Sequence, residues 1–285
     1  MSALAQGLCS RVTWVGNPAA DRPIVDVSLE DTSEAKDPLV DAIPVRHTNR
    51  TLMFRGPGLT PSGKKAIEAA AQHVPRCALS WLDETPLRSV AARLARTAET
   101  ERFRVQNLHE ELFSCVRFDL GWSATCTQGL RPGALGVEVP LRLPFRLLGR
   151  WGVMRTLKTL GAHHGLGFRS AGLPVSLAPN VAVVSSDLPF PWSAVEGGRA
   201  VQRTWLALAL RGMAVQVFAA PAIYANEANT DVRGNLRAEL VRDWRALLPE
   251  GHRPVMLFRI GRAPEPRVRT GRQPVESLLD LQPDS

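Results

Sequence analysis

Five consecutive residues, Arg46 to Arg50, combine two arginines, a histidine, a threonine and an asparagine. Such a cluster could hold a phosphate monoester dianion. Each guanidinium can form charge-assisted hydrogen bonds to phosphate, worth roughly 1.5–3 kcal/mol when shielded from water. The side chains of His47, Thr48 and Asn49 could complete the shell around the phosphate oxygens. A solvated basic loop that binds no ligand is the alternative interpretation.

A second basic cluster follows an apolar segment, Pro254 to Ile260, near the end of the chain. It contains Arg262, Arg267, Arg269 and Arg272, and it runs into Pro274 and Glu276. A head of the form R-H-T-N-R with a tail of the form R-x-x-R-x-P-x-E resembles the nitroreductase family of flavoproteins. The resemblance covers about residues 43–280, and the head is most similar to the Acg-like branch.

This resemblance implies one FMN site, formed by residues from both ends of the region. It assigns contacts with the ribityl chain and phosphate to four residues of the head: Arg46, His47, Thr48 and Arg50. Arg272 takes the place of the family's C-terminal phosphate arginine, and Arg269 could add a second contact. The family often has a cation where this chain has Thr270. A surface tail rich in arginine is the alternative for this cluster.

The resemblance also places the backbone of Phe218, Ala219 and Ala220 along the flavin edge, where their N–H groups would meet N5 and O4. A plain core strand is the alternative interpretation of these residues. The implied activity is transfer of hydride from NAD(P)H through FMN to a nitroaromatic, a quinone or a similar small-molecule acceptor. The flavin carries that chemistry, so no catalytic side chain and no metal site are expected.

The implied fold is α+β, with a central, mostly antiparallel sheet wrapped by helices. The family usually dimerises through long helices, which we place at residues 101–117 and 193–211; a pseudo-dimer within one chain is the alternative. Acg-like proteins also carry an N-x-Q-P-W segment that is missing here. We therefore interpret residues 1–42 as the remnant of a preceding half-domain, with a chain that begins late, and 43–285 as the FMN-binding domain.

Local sequence patterns predict the strands and helices that hold these residues in place. Apolar and β-branched runs predict strands at 11–16, 23–29, 78–83, 181–185, 214–219 and 255–260. Thr60-Pro61, Thr85-Pro86 and the capping box Ser193 to Glu196 predict helix starts. A further helix is expected at about 231–247, residues 30–42 form an acidic linker, and His163-His164 are expected in a loop. Gly197 and Gly198, near the start of a helix, indicate close approach by a neighbouring element.

Positive charge is concentrated in two segments of this chain, whose net charge is +8. Residues 131–169 contain seven Lys and Arg and one Glu, a local +6; residues 253–272 contain six Arg and one Glu, a local +5. Segment 131–169 is a candidate lid over the flavin. Its part 141–160 could instead be a solvated helix packed by one face, or a basic amphipathic helix lying on anionic lipid.

Composition narrows the remaining function classes. No apolar run reaches the roughly 18 residues of a membrane span, no signal peptide is visible, and the four scattered cysteines fit a reduced, cytoplasmic protein. No G-x-S-x-G, Rossmann or P-loop motif occurs. Two alternatives to an enzyme stay open. One is a non-catalytic flavin store, and the other is a basic binder of nucleic acid or anionic surfaces, against which the lack of a nucleic-acid motif counts.

Overall fold

A computed structural model describes residues 7–15, 25–33, 36–124, 128–269 and 271. The strands are β1 (Leu8–Trp14), β2 (Val25–Asp31), β3 (Cys77–Trp81), β4 (Asn180–Ser186), β5 (Ala214–Phe218) and β6 (Arg253–Gly261). All six lie where the apolar and β-branched runs predict them. Their bounds differ from the predicted ones by a few residues.

Ten α-helices lie in the described part of the chain. They are α1 (Pro61–Gln72), α2 (Thr85–Arg104), α3 (Gln106–Ser114), α4 (Arg142–Leu148), α5 (Trp151–Thr159), α6 (Ala162–Gly167), α7 (Leu173–Ser176), α8 (Trp192–Ala209), α9 (Ala220–Ala225) and α10 (Gly234–Arg245). Short 3-10 helices span Pro38–Ala42, Pro132–Leu135 and Val139–Leu141, and a π-helix spans Phe168–Gly172.

The central sheet has four strands in the order β3-β4-β6-β5, and all its neighbours are antiparallel. The register of β4 against β6 shifts at Val184 and Ser185, which marks a bulge. Strands β1 and β2 form a separate antiparallel pair. The prediction of an α+β fold with an antiparallel sheet is confirmed.

Helices cover both faces of the central sheet, because alternate residues of the inner strands are apolar on both sides. Val181 and Leu257 point to the core formed with α2, α7, α9 and α10. Ala182, Val184 and Phe258 point to the core formed with α1 and α8. The apolar residues on both faces of β4 and β6 thus account for the helices that cover the sheet on each side.

A third, smaller core holds the region of the candidate lid. Phe103, Phe113 and Met154 are buried there, and partly buried residues of α4 and α5 pack against them. His109 lies in contact with this core, with its ring 4.6 Å from that of Phe113. The inner sides of α4 and α5 are therefore fixed to α2 and α3.

Several predicted helix ends need correction. The predicted helix 101–117 is two helices, because Val105 is extended and packs against the first core. The Ser193 capping box is wrong: α8 begins at Trp192 after Pro191, and Glu196 pairs instead with Arg199. Thr60, in contrast, caps α1 as predicted, since its hydroxyl accepts from the Gly63 amide.

Three further expectations have a definite outcome. A Cβ at Gly197 would lie 2.5 Å from Val255, so close approach is confirmed there, whereas Gly198 has no neighbour within 4 Å. His163 and His164 lie in α6 and not in a loop. The predicted acidic linker contains the end of β2 and the 3-10 helix Pro38–Ala42, whose N-cap is Asp37.

Candidate functional site

The head segment, defined as residues 45–55, is tied to the edge of the central sheet. The Asn49 amide N–H donates to the Val215 carbonyl of β5 at 2.8 Å. The buried Asn49 side chain donates to the Pro264 carbonyl at 2.8 Å and accepts from the Thr51 amide at 3.0 Å. One asparagine thus joins the head both to β5 and to the segment that follows β6.

The tail segment, defined as residues 262–269, runs beside the head. Arg55 and Arg262 exchange two backbone hydrogen bonds of 2.7 and 2.9 Å in an antiparallel bridge. A Cβ at Gly261 would lie 2.7 Å from Phe54 and 2.8 Å from Pro179, so only glycine allows this approach. The two basic clusters, about 200 residues apart in sequence, are neighbours in space.

Arg259 holds the head in place from inside the protein. Its side chain is fully buried and donates to the carbonyls of Thr51 and Leu52, the latter at 2.8 Å. Its guanidinium lies 4.0 Å from the centre of the Phe54 ring. Burial, and to a lesser degree the charge of Arg169, lowers the pKa of Arg259 to about 9. Sequence reasoning missed this residue, whose signal was a lone arginine in an otherwise apolar strand.

Head and tail form two walls of a cleft of about 540 Å³. A third wall comes from residues 122–123 and 133–142. The lining residues are Arg50, Thr51, Trp122, Ser123, Gly133, Ala134, Gly136, Val137, Arg142, Pro264, Glu265, Pro266, Arg267 and Val268. This volume lies in the range of roughly 300–1,000 Å³ that small-molecule sites occupy.

Two glycines allow close backbone contacts of the third wall, one with the head and one within the wall itself. Gly136 has φ +69°, and a Cβ there would lie 2.5 Å from the Arg50 carbonyl oxygen. A Cβ at Gly133 would lie 1.9 Å from the Trp122 carbonyl oxygen. Glycine is therefore required at both positions by close backbone contacts at the cleft.

Three arginines line the cleft. Arg50 is half-buried and donates to the Ala134 carbonyl at 3.2 Å; burial lowers its pKa, and the charge of Glu99 offsets this in part. Arg142 lies 4.8 Å from the Trp122 ring centre. Its buried Nε has no hydrogen-bond partner among the residues that the structure describes. Arg267 is exposed at the rim. The cleft is suited to an anionic ligand.

The structure separates the four predicted residues of the head. Arg50 lines the cleft, but Arg46 does not, and its guanidinium lies 4.3 Å from the ring centre of Trp205 in α8. The His47 Nδ1 lies 2.8 Å from the carbonyl oxygen of Val45, within the head itself. Thr48 is half-buried. The structure thus brings one member of this set to the cleft wall.

The remaining predicted residues are spread over three places. Phe218 ends β5 and is buried in the first core, and Ala219 and Ala220 form the start of α9. None of these three lines the cleft. Arg269 pairs with Glu265, a cleft residue. The predicted phosphate contact at position 272 falls outside the described residues.

A second cleft, of about 710 Å³, lies where α8, α9, α10 and β6 meet. His252 lines it, and its Nδ1 lies 3.0 Å from the Ser185 hydroxyl. Ser185 is fully buried in β4. The pair therefore joins β4 to the residue that precedes β6, and it does not present a nucleophile to solvent.

Comparison with known proteins gives matches among solved structures. No family model and no curated protein matches this chain. FMN-bound nitroreductase from Bacteroides fragilis is 12% identical and has a TM-score of 0.46, with 88% of this chain and 98% of that chain covered. Nitroreductase structures are similar to this chain over most of its length.

Two further structures have comparable values. The FMN-dependent nitroreductase NfnB from Mycobacterium smegmatis, in complex with NADPH, is 18% identical with a TM-score of 0.48, covering 86% of this chain and 98% of that one. FMN-bound nitroreductase from Desulfitobacterium hafniense is 15% identical with a TM-score of 0.43, covering 86% and 98%.

Proposed function

We propose that this protein binds FMN in the cleft between head and tail and works as an oxidoreductase. Reduced nicotinamide would deliver hydride to the flavin, and a nitroaromatic, a quinone or a similar acceptor would receive it. The observation that carries the proposal is the pairing of head and tail through Asn49 and the Arg55–Arg262 bridge. It brings together two basic segments that the resemblance assigns to one phosphate.

The cleft residues fit the chemistry of a phosphate monoester. Arg50, Arg142 and Arg267 supply cationic donors, and Thr51 and Ser123 supply hydroxyl groups. The buried, unbonded Nε of Arg142 supports a ligand, since buried donors ordinarily have a hydrogen-bond partner. In this proposal these residues would hold the phosphate end of FMN, and Arg272 would add a further contact.

The remaining residues of the proposed site would orient and shield the cofactor. Bound FMN would supply the hydride chemistry itself. Trp122 and Val137 would cover its less polar part and exclude water from it. The backbone of Phe218, Ala219 and Ala220 stays our candidate for the flavin edge. We further propose a homodimer that completes the site, which sedimentation equilibrium would test.

The experiment is a titration of FMN into the purified protein, followed by anaerobic addition of NADH or NADPH. We expect saturable binding, bleaching of the bound flavin, and its reoxidation by a quinone or nitroaromatic compound. Arg50→Ala should weaken binding, whereas Arg211→Ala, which also removes a guanidinium that donates to a backbone carbonyl, should not. Bound flavin that neither nicotinamide reduces would contradict the enzymatic part, and absence of binding would contradict the whole proposal.

A further inference from the structure

Four large aliphatic side chains lie on the surface just after the cleft wall. We define them as the outer ridge: Val139, Leu141, Leu143 and Leu147. Their exposed fractions are 69%, 47%, 68% and 42%. Leu143 and Leu147 are four residues apart in α4 and therefore share one face of that helix. Several large exposed apolar groups within one short segment commonly mark an interaction surface.

The ridge is not the unpacked side of a poorly anchored helix. Phe145 and Leu148, on another side of α4, pack against the small core around Phe113. Gly149 follows, and a Cβ there would lie 3.0 Å from the Phe113 ring. The helix thus already has its apolar contact with the protein, and the ridge is apolar surface in addition to it.

The segment that carries the ridge is cationic. Arg146, Arg150 and Arg155 are exposed. No Asp or Glu occurs in the sequence between Glu138 and Asp187, and Glu138 already pairs with Arg169. A partner that fits must therefore offer both an apolar layer and negative charge.

An anionic lipid surface meets both conditions better than the other candidates. Two copies of this chain that met through the ridge about a two-fold axis would bring their own arginines together, because each patch would face itself. Nucleic acid offers phosphates but no apolar layer for the leucines. A bilayer with anionic lipids offers acyl chains at about the depth of the leucines and head groups at the level of the arginines.

We propose that the outer ridge and its arginines bind the surface of anionic membranes. The protein would lie on the bilayer through α4, with Leu143 and Leu147 inserted at the acyl boundary. None of the helices in the described ranges is long and apolar enough to span a membrane. The contact is therefore a peripheral one, and its strength should fall as ionic strength rises.

Sedimentation with vesicles tests this inference. Wild-type protein is mixed with vesicles of phosphatidylcholine alone, or of phosphatidylcholine and phosphatidylglycerol in a two-to-one ratio. We expect binding to the anionic vesicles only. Arg146→Gln with Arg150→Gln should weaken it roughly thirtyfold, since each basic residue near such a surface contributes about a fivefold gain in affinity. Leu143→Ser with Leu147→Ser should weaken it about tenfold or more.

The control replaces two exposed leucines elsewhere on the surface, Leu177→Ser with Leu210→Ser, and should bind like wild type. Failure of the wild type to bind anionic vesicles would overturn the inference. Equal binding by the ridge variants and the control would do the same. So would a wild-type dimer that ignores vesicles and dissociates in the Leu143 and Leu147 variant, since the ridge would then be a contact between copies.

Discussion

Arginines on α2 and arginines at the cleft have opposite electrostatic surroundings. On α2, Arg93 pairs with Asp243 at 2.7 Å, Arg102 with Glu99 at 3.0 Å, and Arg104 with Glu101 at 2.5 Å. At the cleft, Arg50, Arg142 and Arg267 form no ion pair in the part of the chain that the structure describes. One region has a carboxylate for each of these cations and the other does not.

This difference separates structural charge from charge that is available to a ligand. A buried carboxylate such as Glu101 is neutralised by its arginine, and removal of either partner leaves an uncompensated charge. A cation without a carboxylate can instead be neutralised by a bound anion. We therefore expect that substitutions on α2 change stability, and that substitutions at the cleft change ligand affinity.

The largest expected effect is on stability at α2. Glu101→Ala should lower the free energy of unfolding by about 3 kcal/mol, because it removes the carboxylate bonded to Arg104 in a nearly fully buried position. Denaturant titration measures this change. Glu196→Ala is the matched control, since it breaks another i,i+3 pair, with the more exposed Arg199; its effect should be about 1 kcal/mol or less. Equal losses of unfolding free energy in the two variants would contradict the predicted difference between a buried and an exposed ion pair.

Substitution of the cleft arginines should change FMN affinity and not stability. Arg50→Ala should weaken FMN binding by roughly 1.5–3 kcal/mol, through loss of a charge-assisted bond to phosphate. Arg272→Ala and Arg46→Ala carry the same prediction from the family resemblance. Fluorescence titration of FMN distinguishes them, and an unchanged affinity in a variant would remove that residue from the site. Arg46 is the sharpest case, because it lies on Trp205 and away from the cleft wall.

Adding a carboxylate beside the cleft arginines should give them a carboxylate partner, as the arginines of α2 have. Thr51 is exposed and lines the cleft beside Arg50. Thr51→Glu should weaken FMN binding by about 1–2 kcal/mol, because its charge competes with the phosphate for the arginines. Thr51→Gln, which has nearly the same size without the charge, is the control in the same titration. Equal affinities for the Glu and Gln variants would show that charge at this wall does not matter.

The smallest expected effect concerns the core beneath α4 and α5. Burial lowers the pKa of His109, whose Nε2 lies 2.8 Å from the Leu148 carbonyl oxygen. Below the ordinary histidine pKa the unfolded chain binds the proton more readily, so His109 makes the fold less stable as pH falls. His109→Gln should reduce the stability loss between pH 7 and pH 5 by up to about 1 kcal/mol. An unchanged pH dependence in thermal unfolding would contradict this.

Much of the fold could be predicted from local patterns. All six strands coincide with apolar or β-branched runs. In β4 the run is continuous because every residue of the strand is buried, so that both of its faces are covered. The start of α1 at Thr60-Pro61 could be predicted from sequence because its cap forms within one helical turn. The break at Val105 was not, because extended backbone there depends on packing against the distant core.

The site was predictable in its parts but not in their arrangement. The two basic clusters were visible in sequence, but their pairing depends on Asn49 and on the buried Arg259, whose partners lie about 200 residues away. The third wall could not be predicted from sequence, because its apolar residues do not recur at a regular spacing. Gly133 and Gly136 are explained only by the backbones they touch.

The most direct measurement is a visible spectrum of wild-type protein and of Arg50→Ala after incubation with FMN and removal of free FMN by desalting. We expect a retained oxidised-flavin band for the wild type and a much weaker one for the variant. A wild-type protein that retains no flavin, or a variant that retains as much as the wild type, would contradict the claim that the cleft between head and tail binds FMN.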